Sequence, residues 1–398
     1  MAMATPSGRR VLIVSPFPVY PANAGNRVRI LVLVEALQQL GHEVHFALIR
    51  YDNGDEERMR ELLGGRLLSI PYAQPKRRRS LWQRLEDAWL RWRDPDYRYA
   101  SRLDDWFNPS ALARLRQYDA EHHFDVVMVE YVFFSKALEA FPDRTLKIVD
   151  THDVFSDRHK LFLREGREPQ WYSTTPAEEA RGLRRANVVV AIQDKEREFF
   201  AGISGQPTVT VGHLVPQRNL FHGGPASGKL LFVGSANPIN VDSLEYFLAQ
   251  VFPLIRAALP EASLLLAGRI CNAVADQPGL VKLGELPDLA EAYAQADVVV
   301  VPVRFGTGLN VKSIEALGYG MPLVTTPDGS KGIVAPELPF LVGDSAEAFA
   351  AAVLRICADP ALAASLSQRA LAFAGDWNAR HLASLDQLIR ATTRTLDA

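Results

Sequence analysis

The sequence predicts an α/β protein built from two parallel-sheet domains. Short apolar runs alternate with amphipathic helical patterns along most of the 398 residues, as βαβ units require. A stretch rich in glycine and proline, residues 213–228, interrupts this alternation near mid-chain. We therefore expect an N-terminal domain over 1–212, a linker over 213–228, a C-terminal domain over 229–375 and a last helix over 376–398.

Composition narrows the class of protein. An apolar content of 48% with 23% charged residues is typical of a globular chain, and a net charge of −2 offers no basic field for nucleic acid. The two cysteines, Cys271 and Cys357, lie in apolar patterns without metal-ligand spacing, which indicates a reducing compartment. We expect no nucleic-acid partner and no disulfide framework.

The chain contains no run of eighteen apolar residues that would predict a membrane span. Its start, MAMATPSGRRVLIVSPFPV, resembles a signal peptide in having basic residues before a short apolar run. We interpret that run as a first buried strand, because proline interrupts it at once and a helical pattern follows. A cytoplasmic location is the expectation.

Seven apolar runs predict the strands of the N-terminal domain. The first is followed by a turn-rich loop and a helix over residues 28–40. Near the C-terminus, helices are predicted over 346–358, 361–374 and 378–395. The seven strands are predicted at 10–15, 43–49, 66–70, 124–130, 146–150, 186–192 and 208–211.

The most informative stretch is residues 297–329, DVVVVPVRFGTGLNVKSIEALGYGMPLVTTPDG. A valine run, a Gly-Thr-Gly loop, a helical pattern over 310–318 and a second apolar run from Pro322 form one βαβ unit. The loop follows a strand at its carboxyl end, where open α/β sheets bind ligands. Gly306 and Gly308 lack side chains that would keep a phosphate away from the backbone.

Two charged residues on the following helix sharpen this prediction. Lys312 lies in the first turn, where the helix dipole disfavours a cation, so its presence indicates a bound anion. Glu315 lies three residues later on the same face, where a carboxylate can accept hydrogen bonds from sugar hydroxyls. The pair predicts a nucleotide-sugar pocket. The alternative is an ion pair that merely stabilises an ordinary helix.

This segment resembles the donor-binding motif of the retaining GT-B glycosyltransferases of family 4, written G-x-G-x-x-x-K-x-x-E-A-x-x-x-G-x-P. The resemblance implies a GT-B architecture, with two facing Rossmann-like domains and a cleft between them. It also implies a nucleotide-sugar donor held mainly by the second domain, an acceptor held mainly by the first, and no metal or other cofactor. The residues in register are Gly306, Gly308, Lys312, Glu315, Gly320 and Pro322.

The sequence departs from this family pattern at three positions. Many members carry an additional glutamate at the position of Thr307, within the donor-binding loop. Related enzymes also carry an arginine and a lysine where this chain has Ser235 and Asn240. Arg304, at the end of its strand, is the best substitute for holding the diphosphate together with Lys312. Lys331 is a further candidate.

The N-terminal domain offers a second group of candidates. Two neighbouring predicted strands end at Glu130 and Asp150, and His152 and Asp153 follow the second. Because carboxyl ends of parallel strands lie at one edge of a sheet, these side chains are acceptor-side and catalytic candidates. The histidine could be a general base, a metal ligand or a hydrogen-bonding platform. The family resemblance implies that His152, paired with Asp153, contacts the transferring sugar.

The same segment has two other interpretations. A metal site would need His152, Asp153, Asp157 and His159 to converge, but their spacing matches no common metal motif. Alternatively, Asp153 or Ser156 would cap a helix that continues through Leu163.

The loop before the first helix supplies Gly25, Asn26 and Arg27 at a predicted helix N-terminus. Family 4 resemblance implies that this glycine loop lies near the donor phosphates and the acceptor. From the residues alone, a plain turn is the favoured interpretation.

Residues 80–93 combine tryptophans with arginines. Trp82, Leu85, Trp89 and Trp92 recur at steps of three, four and three, which predicts one apolar helical stripe. The arginines at 84, 91 and 93 and the basic run 76–79 make the remainder cationic. The segment Leu81 to Trp92 would suit a membrane-surface contact, peripheral on the inner face of the cell membrane. The other interpretation, which we favour from the residues alone because packing within a domain explains most tryptophan stripes, is a helix whose tryptophans pack on the N-terminal sheet.

Together these features predict a glycosyltransferase that moves a sugar from a nucleotide diphosphate to a glycan, lipid-linked or small-molecule acceptor. We expect retention of anomeric configuration and a role in surface polysaccharide or glycoconjugate biosynthesis. The alternatives are a nucleotide-sugar epimerase of the same fold and a non-catalytic glycan-binding protein, since Thr307, Ser235 and Asn240 depart from the family pattern.

Overall fold

The computed structural model describes residues 8–75, 79–224, 226–306 and 308–391. They form two compact units. One comprises the chain through Ala22, then Asn26–Gly212, and resumes at Leu382. The other comprises Asn23–Gly25 and His213–His381.

The first unit contains a seven-stranded parallel sheet of order β3-β2-β1-β4-β5-β6-β7. Its strands are β1 (Arg10–Ser15), β2 (Glu43–Arg50), β3 (Leu67–Pro71), β4 (Val126–Glu130), β5 (Leu146–Asp150), β6 (Val188–Ala191) and β7 (Thr208–Thr210). Its helices are α1 (Gly25–Gln39), α2 (Glu56–Leu62), α3 (Leu81–Arg93), α4 (Ala111–His122), α5 (Arg158–Arg164), α6 (Pro176–Leu183) and α7 (Asp194–Ser204). Short 3-10 helices span Pro95–Tyr99, Leu103–Trp106 and Val132–Ala140.

All seven predicted strands of this unit are confirmed to within two residues at each end. The central strand explains why sequence was a good guide: four successive residues of β1, Val11 through Val14, are fully buried. A parallel strand covered on both faces must be apolar throughout, which leaves a short continuous run in the sequence. The sheet order changes direction between β1 and β4, as in Rossmann folds.

The second unit contains a six-stranded parallel sheet of order β10-β9-β8-β11-β12-β13. Its strands are β8 (Lys229–Val233), β9 (Ser263–Ala267), β10 (Leu280–Gly284), β11 (Val298–Val301), β12 (Leu323–Thr325) and β13 (Leu341–Val342). Its helices are α8 (Pro238–Tyr246), α9 (Phe252–Ala258), α10 (Ala290–Tyr293), α11 (Val311–Gly318), α12 (Ala346–Ala358) and α13 (Pro360–Arg390), which continues into the first unit. A π-helical turn spans Phe247–Val251 and a 3-10 helix spans Arg269–Ala273. The predicted α/β class with two Rossmann-like domains is confirmed.

The last two predicted helices, 361–374 and 378–395, are one continuous helix, α13. Gly375 and Trp377 do not break it. A Cβ on Gly375 would lie 2.9 Å from Nε2 of Gln217, so glycine permits a close approach inside the helix. Trp377 is 3% exposed and donates from Nε1 to the carbonyl of His213 at 2.8 Å. Tertiary packing therefore overrides the weak helix propensity of glycine at this point.

The prediction that the tryptophans of α3 pack on the sheet is wrong. Trp82 and Trp92 are 81% and 82% exposed, and Asp87 is the buried residue of this helix. Of the basic run 76–79, only Arg79 falls within the described residues.

In the part of the chain that the structure describes, no helix taken singly has the length and hydropathy to cross a membrane; α12 and α13 meet that criterion only as a pair joined at a bend of 102°.

Candidate functional site

A buried ionic cluster lies at the carboxyl ends of β4 and β5. Glu130 and Asp150, both fully buried, end these strands, and the strand register places them opposite each other. Asp150 accepts hydrogen bonds from Nε of Arg29 at 2.8 Å and from Nη2 at 2.7 Å. The same Nη2 donates to the carbonyl of Val211 at 3.0 Å. This bidentate pair compensates the Asp150 charge inside the first unit.

His152 is held firmly beside this pair. Its Nε2 lies 2.5 Å from Oε2 of Glu130 and 3.6 Å from Oδ2 of Asp150. The imidazole stacks on Tyr131, with 4.1 Å between ring centroids and 10° between planes. The backbone of His152 has φ of 62°, a left-handed conformation uncommon for a residue with a side chain. One ring face and one ring nitrogen are therefore fixed by neighbours.

The protonation states in this cluster follow from burial. Burial lowers the pKa of His152 to about 4, so the imidazole is neutral near pH 7. Burial, followed by the charge of Asp150, raises the pKa of Glu130 well above its ordinary value. Burial opposes ionisation of Asp150, but Arg29 outweighs it and lowers the Asp150 pKa. Oε2 of Glu130 occupies Nε2 of His152, so a further hydrogen bond from this imidazole would involve Nδ1.

Ligand atoms of Glu130, Asp150 and His152 lie within 4.8 Å of one another, a spacing that would admit a cation. Arg29 nevertheless occupies both carboxylate oxygens of Asp150, and its positive charge repels a second cation. The arrangement favours the positioning of a neutral imidazole over the binding of a metal ion.

The loop after His152 is not arranged by the predicted helix cap. Helix α5 begins at Arg158, and neither Asp153 nor Ser156 is its N-cap residue, so that alternative is wrong. Instead Glu179, fully buried on α6, accepts the N–H of Phe155 at 3.0 Å and that of Ser156 at 2.7 Å. Asp153 lies in a tight turn, where its N–H donates to the carbonyl of Thr151 at 2.8 Å.

The predicted glycine loop begins α1 at Gly25, where an added Cβ would meet no heavy atom within 4 Å. Burial raises the pKa of Tyr131, the residue that stacks on His152, and the Asn26 side chain opposes this shift. Arg27 donates from Nη2 to Asp52 at 2.6 Å and to the carbonyl of Asn53 at 2.9 Å. The structure thus gives Arg27 a role in holding a neighbouring loop, and donor binding by these three residues stays a prediction.

The second cluster lies at the N-terminus of α11 in the second unit. Nζ of Lys312 donates to Oδ1 of Asn240 at 2.7 Å. The Asn240 amide is oriented by its own donation to the carbonyl of Ser235 at 2.8 Å. Asn237 caps α8 by accepting the N–H of Asn240 at 2.9 Å. Asn240 and Ser235, which replace the lysine and arginine of the family pattern, therefore present an amide oxygen to Lys312.

The charge of Lys312 is only weakly compensated. Among the described residues, no carboxylate oxygen lies within salt-bridge distance of its Nζ, so the predicted alternative of a Lys312–Glu315 ion pair is wrong. Burial lowers the pKa of Lys312 to about 8, against the opposing charge of Glu315. Burial also raises the pKa of Glu315 to about 7, although Lys312 opposes this. A half-buried cation bonded to a neutral amide is suited to receive an anion.

Arg304 follows β11 and is bound to a carboxylate. Its Nη2 lies 2.7 Å from Oδ1 of Asp242, and its Nε lies 3.1 Å from Oδ2. The guanidinium also lies over the ring of Tyr246, 5.2 Å from the centroid. Asp242 thus occupies the edge formed by Nε and Nη2, although the side chain remains 41% exposed. A phosphate would have to share Arg304 with Asp242, and its part in donor binding stays a prediction.

The glycine loop between β11 and α11 keeps its backbone accessible. An added Cβ on Gly306 would meet no heavy atom within 4 Å, and Gly308 has φ of 82°, which favours glycine. Thr307 lies outside the described residues.

Glu315 is 9% exposed, with its Oε1 3.9 Å from Nε2 of His213. Lys331 is exposed and is ion-paired with Asp328.

Sequence reasoning missed Arg29, Tyr131 and Glu179. Arg29 carries a usable signal, since it falls on the apolar face of α1 together with Leu33 and Leu37. A charged residue at such a position needs a buried partner of opposite charge. Nothing in the sequence identifies that partner as Asp150, which lies 121 residues away.

The part of the chain that contains the second cluster matches a known protein family. Residues 227–359 match the family model described as glycosyl transferases group 1. This range contains β8 through α12 and includes Lys312 and Glu315. An uncharacterized 44.6 kDa protein in the cps region of Klebsiella pneumoniae is 21% identical over 346 residues, which cover 81% of this chain and 84% of that protein.

Solved structures share the whole architecture. Sucrose-phosphate synthase from Thermosynechococcus elongatus is 18% identical, with a TM-score of 0.67, over 96% of this chain and 98% of that one. HepE from Anabaena, solved with UDP and glucose, is 15% identical, with a TM-score of 0.63, over 98% and 100%. The pneumococcal O-GlcNAc transferase GtfA, solved with UDP and GlcNAc, is 10% identical, with a TM-score of 0.65, over 96% and 100%. The chain has the GT-B fold of these proteins.

Proposed function

We propose that this GT-B protein is a glycosyltransferase that uses a nucleoside diphosphate sugar as donor. The observation that carries the proposal is Lys312, a half-buried cation at a helix N-terminus whose hydrogen-bond partner is the Asn240 amide. A diphosphate would supply the missing counter-charge and would also accept hydrogen bonds from the exposed N–H groups of α11. The match of residues 227–359 to the glycosyl transferases group 1 model supports this assignment.

Neighbouring structures suggest the donor and the acceptor classes. HepE was solved with UDP-glucose, and TarM from S. aureus with UDP and alpha-GlcNAc-glycerol. We propose a uridine diphosphate sugar as the first donor to test, and a glycan, lipid-linked or small-molecule acceptor. The comparisons do not favour the epimerase or the glycan-binding alternative. The relative in the cps region supports our proposal of a place in surface polysaccharide or glycoconjugate biosynthesis. We also propose a cytoplasmic location, as expected from the sequence.

Retention of anomeric configuration, as in family 4, is the stereochemistry we propose. In the first unit, Asp150 is engaged by Arg29 and Glu130 by a neutral His152, a poor arrangement for a carboxylate nucleophile. A front-face path fits better, in which a departing phosphate oxygen takes the acceptor proton. Nδ1 of His152 would then donate to a sugar hydroxyl, with Asp153 beside it.

On the donor side, Lys312 and the α11 N-terminus would stabilise the leaving diphosphate without a metal ion. Glu315 would accept hydrogen bonds from the ribose, while Arg304 and the loop of Gly306, Thr307 and Gly308 would complete the phosphate contacts. Within the first unit, Glu130 and Asp150 would support His152. Gly25, Asn26 and Arg27 stay candidates for donor binding.

Calorimetric titration with UDP, GDP, TDP, CMP and ADP and their common sugars tests the donor assignment. We expect one nucleotide to bind, and Lys312→Ala to weaken its binding by roughly tenfold to a hundredfold, the range for a hydrogen bond to a charged group. Lys229→Ala is the matched control, because Lys229 is an exposed lysine of the same unit. If Lys312→Ala and wild-type protein bind the nucleotide with equal affinity, Lys312 has only a structural role. Failure of every nucleotide to bind would contradict the proposed function.

A further inference from the structure

Helix α3 is turned outward in a way that its sequence does not require. Five apolar side chains, which we call the tryptophan face, are each more than half exposed: Leu81 76%, Trp82 81%, Leu85 62%, Trp89 51% and Trp92 82%. At 3.6 residues per turn they cover an arc of about 100° along one side of the helix. Large apolar side chains gathered on one exposed face mark an interaction site, whereas scattered single ones do not.

The opposite side of the helix is fixed by charges. Asp87 lies about 190° from the centre of the tryptophan face and is 5% exposed. It accepts from Nη2 of Arg102 at 2.8 Å and from Nε at 3.1 Å, and it is also ion-paired with Arg79. A capping box between Ser80 and Gln83 fixes the start of the helix. Specific polar contacts therefore hold the helix with its tryptophans facing outward.

Arginines flank the tryptophan face. Arg84 and Arg91 lie along one edge and Arg93 along the other, where its guanidinium lies over the ring of Trp89 at 5.4 Å from the centroid. In the described ranges, no carboxylate forms an ion pair with any of these three arginines. The acidic side chain nearest the face, Glu86, is ion-paired with Arg102 at 2.7 Å. The outward surface therefore combines apolar area with unneutralised positive charge.

We infer that α3 is a docking surface for an anionic lipid bilayer, on which it lies parallel to the membrane plane. Tryptophan rings suit the boundary between headgroups and acyl chains, and arginines at the edges reach lipid phosphates. The charges argue against a second copy of this chain, because pairing two such faces would bring arginines of both copies together. This inference does not depend on the proposed transferase activity, although it would give that activity access to lipid-linked acceptors.

Sedimentation with vesicles tests the inference. The full chain should partition onto vesicles of phosphatidylglycerol and phosphatidylcholine in equal parts, more weakly onto phosphatidylcholine alone, and less as salt is added. Trp82→Ser with Trp92→Ser should lower the partition coefficient by roughly tenfold or more, because both rings lose their apolar contact with lipid. Arg84→Gln with Arg91→Gln should lower it by roughly tenfold on the anionic vesicles only.

Two matched variants serve as controls. Arg114→Gln with Arg116→Gln removes two exposed arginines from α4 in the same unit, and Val334→Ser removes an apolar side chain that is 82% exposed. Both should partition like wild-type protein. Because the altered tryptophans are exposed, their variant should keep the wild-type circular dichroism spectrum and thermal midpoint.

Three results would overturn the inference. One is the absence of wild-type binding to anionic vesicles. Another is equal binding by the tryptophan variant and wild-type protein. The third is a dimer in sedimentation velocity that Trp82→Ser with Trp92→Ser abolishes, which would assign the face to a second copy. Loss of nucleotide binding in calorimetry would concern the second unit instead, so the two proposals fail separately.

Discussion

The two polar clusters differ in how completely their charges are balanced. In the first unit, Arg29 and Asp150 form a bidentate pair with distances of 2.7 and 2.8 Å, and Glu130 is hydrogen-bonded to a neutral His152. In the second unit, Lys312 donates to a neutral amide, and burial depresses its pKa to about 8. A balanced cluster keeps a side chain in place, whereas an unbalanced one is prepared for a ligand of opposite charge.

This contrast assigns different work to the two clusters. The charges of Arg29 and Asp150 neutralise each other, so this pair does not attract a charged ligand. It affects function by orienting His152. The positive charge of Lys312 can bind an anion. Partial desolvation of this charge destabilises the folded protein. The predictions below test whether the first cluster is structural in this sense and the second is not.

The largest expected effect is on stability, from removing the cation of the balanced cluster. Arg29→Met leaves a buried, unpaired Asp150 and should lower the free energy of unfolding by about 3–5 kcal/mol. Urea denaturation of the full chain measures this, with Arg114→Met on the surface of α4 as the control. The double variant Arg29→Met with Asp150→Leu should recover most of the loss, since no buried charge remains. If Arg29→Met changes the free energy of unfolding by less than about 0.5 kcal/mol, the pair contributes no more to stability than ordinary surface residues do, and the prediction is wrong.

An intermediate effect is expected on the pH dependence of nucleotide binding. Burial places the pKa of Lys312 at about 8, against an ordinary value of 10.5. The cation is therefore lost above pH 8 in the free protein, and nucleotide affinity should fall there by up to about tenfold per pH unit. Calorimetry across this range should show the decline in wild-type protein and not in Lys312→Met.

The stability of the ligand-free protein should respond to the same group with the opposite sign. Between pH 8 and 10.5 the unfolded chain binds a proton at Lys312 that the folded chain lacks. This contribution to the free energy of unfolding therefore rises with pH across that window. A wild-type nucleotide affinity that stays constant from pH 7 to 10 would contradict a charged Lys312 in the donor site.

The smallest effect is expected from Glu130→Gln. Burial raises the pKa of Glu130 well above its ordinary value, which favours the neutral form, and a neutral amide of nearly the same shape can still donate to Nε2 of His152. The free energy of unfolding at pH 7 should change by less than about 1 kcal/mol, far less than in Arg29→Met. A loss comparable with that of Arg29→Met would show that Glu130 is ionised and that the charges are distributed differently.

The sequence by itself determined the architecture and the local signature of the proposed donor site. Buried parallel strands need continuous apolar runs, so every strand of the first sheet was visible as a short segment. The motif from Gly306 to Pro322 is local, so its register could be read without a fold. Sequence also located Lys312 and Glu315, Glu130 and Asp150, and His152 at the ends of their elements.

Tertiary structure decided everything that depends on partners far apart in the chain. Arg29 and Asp150 are 121 positions apart in the chain, and Lys312 and Asn240 are 72 positions apart. No local sequence pattern encodes either contact. The orientation of α3 has the same origin. Its helical periodicity predicts a tryptophan stripe but not its direction, which is fixed by Arg79 and Arg102 through Asp87. A side chain's environment is set by what folds against it, and sequence spacing records only which residues of one element share a face.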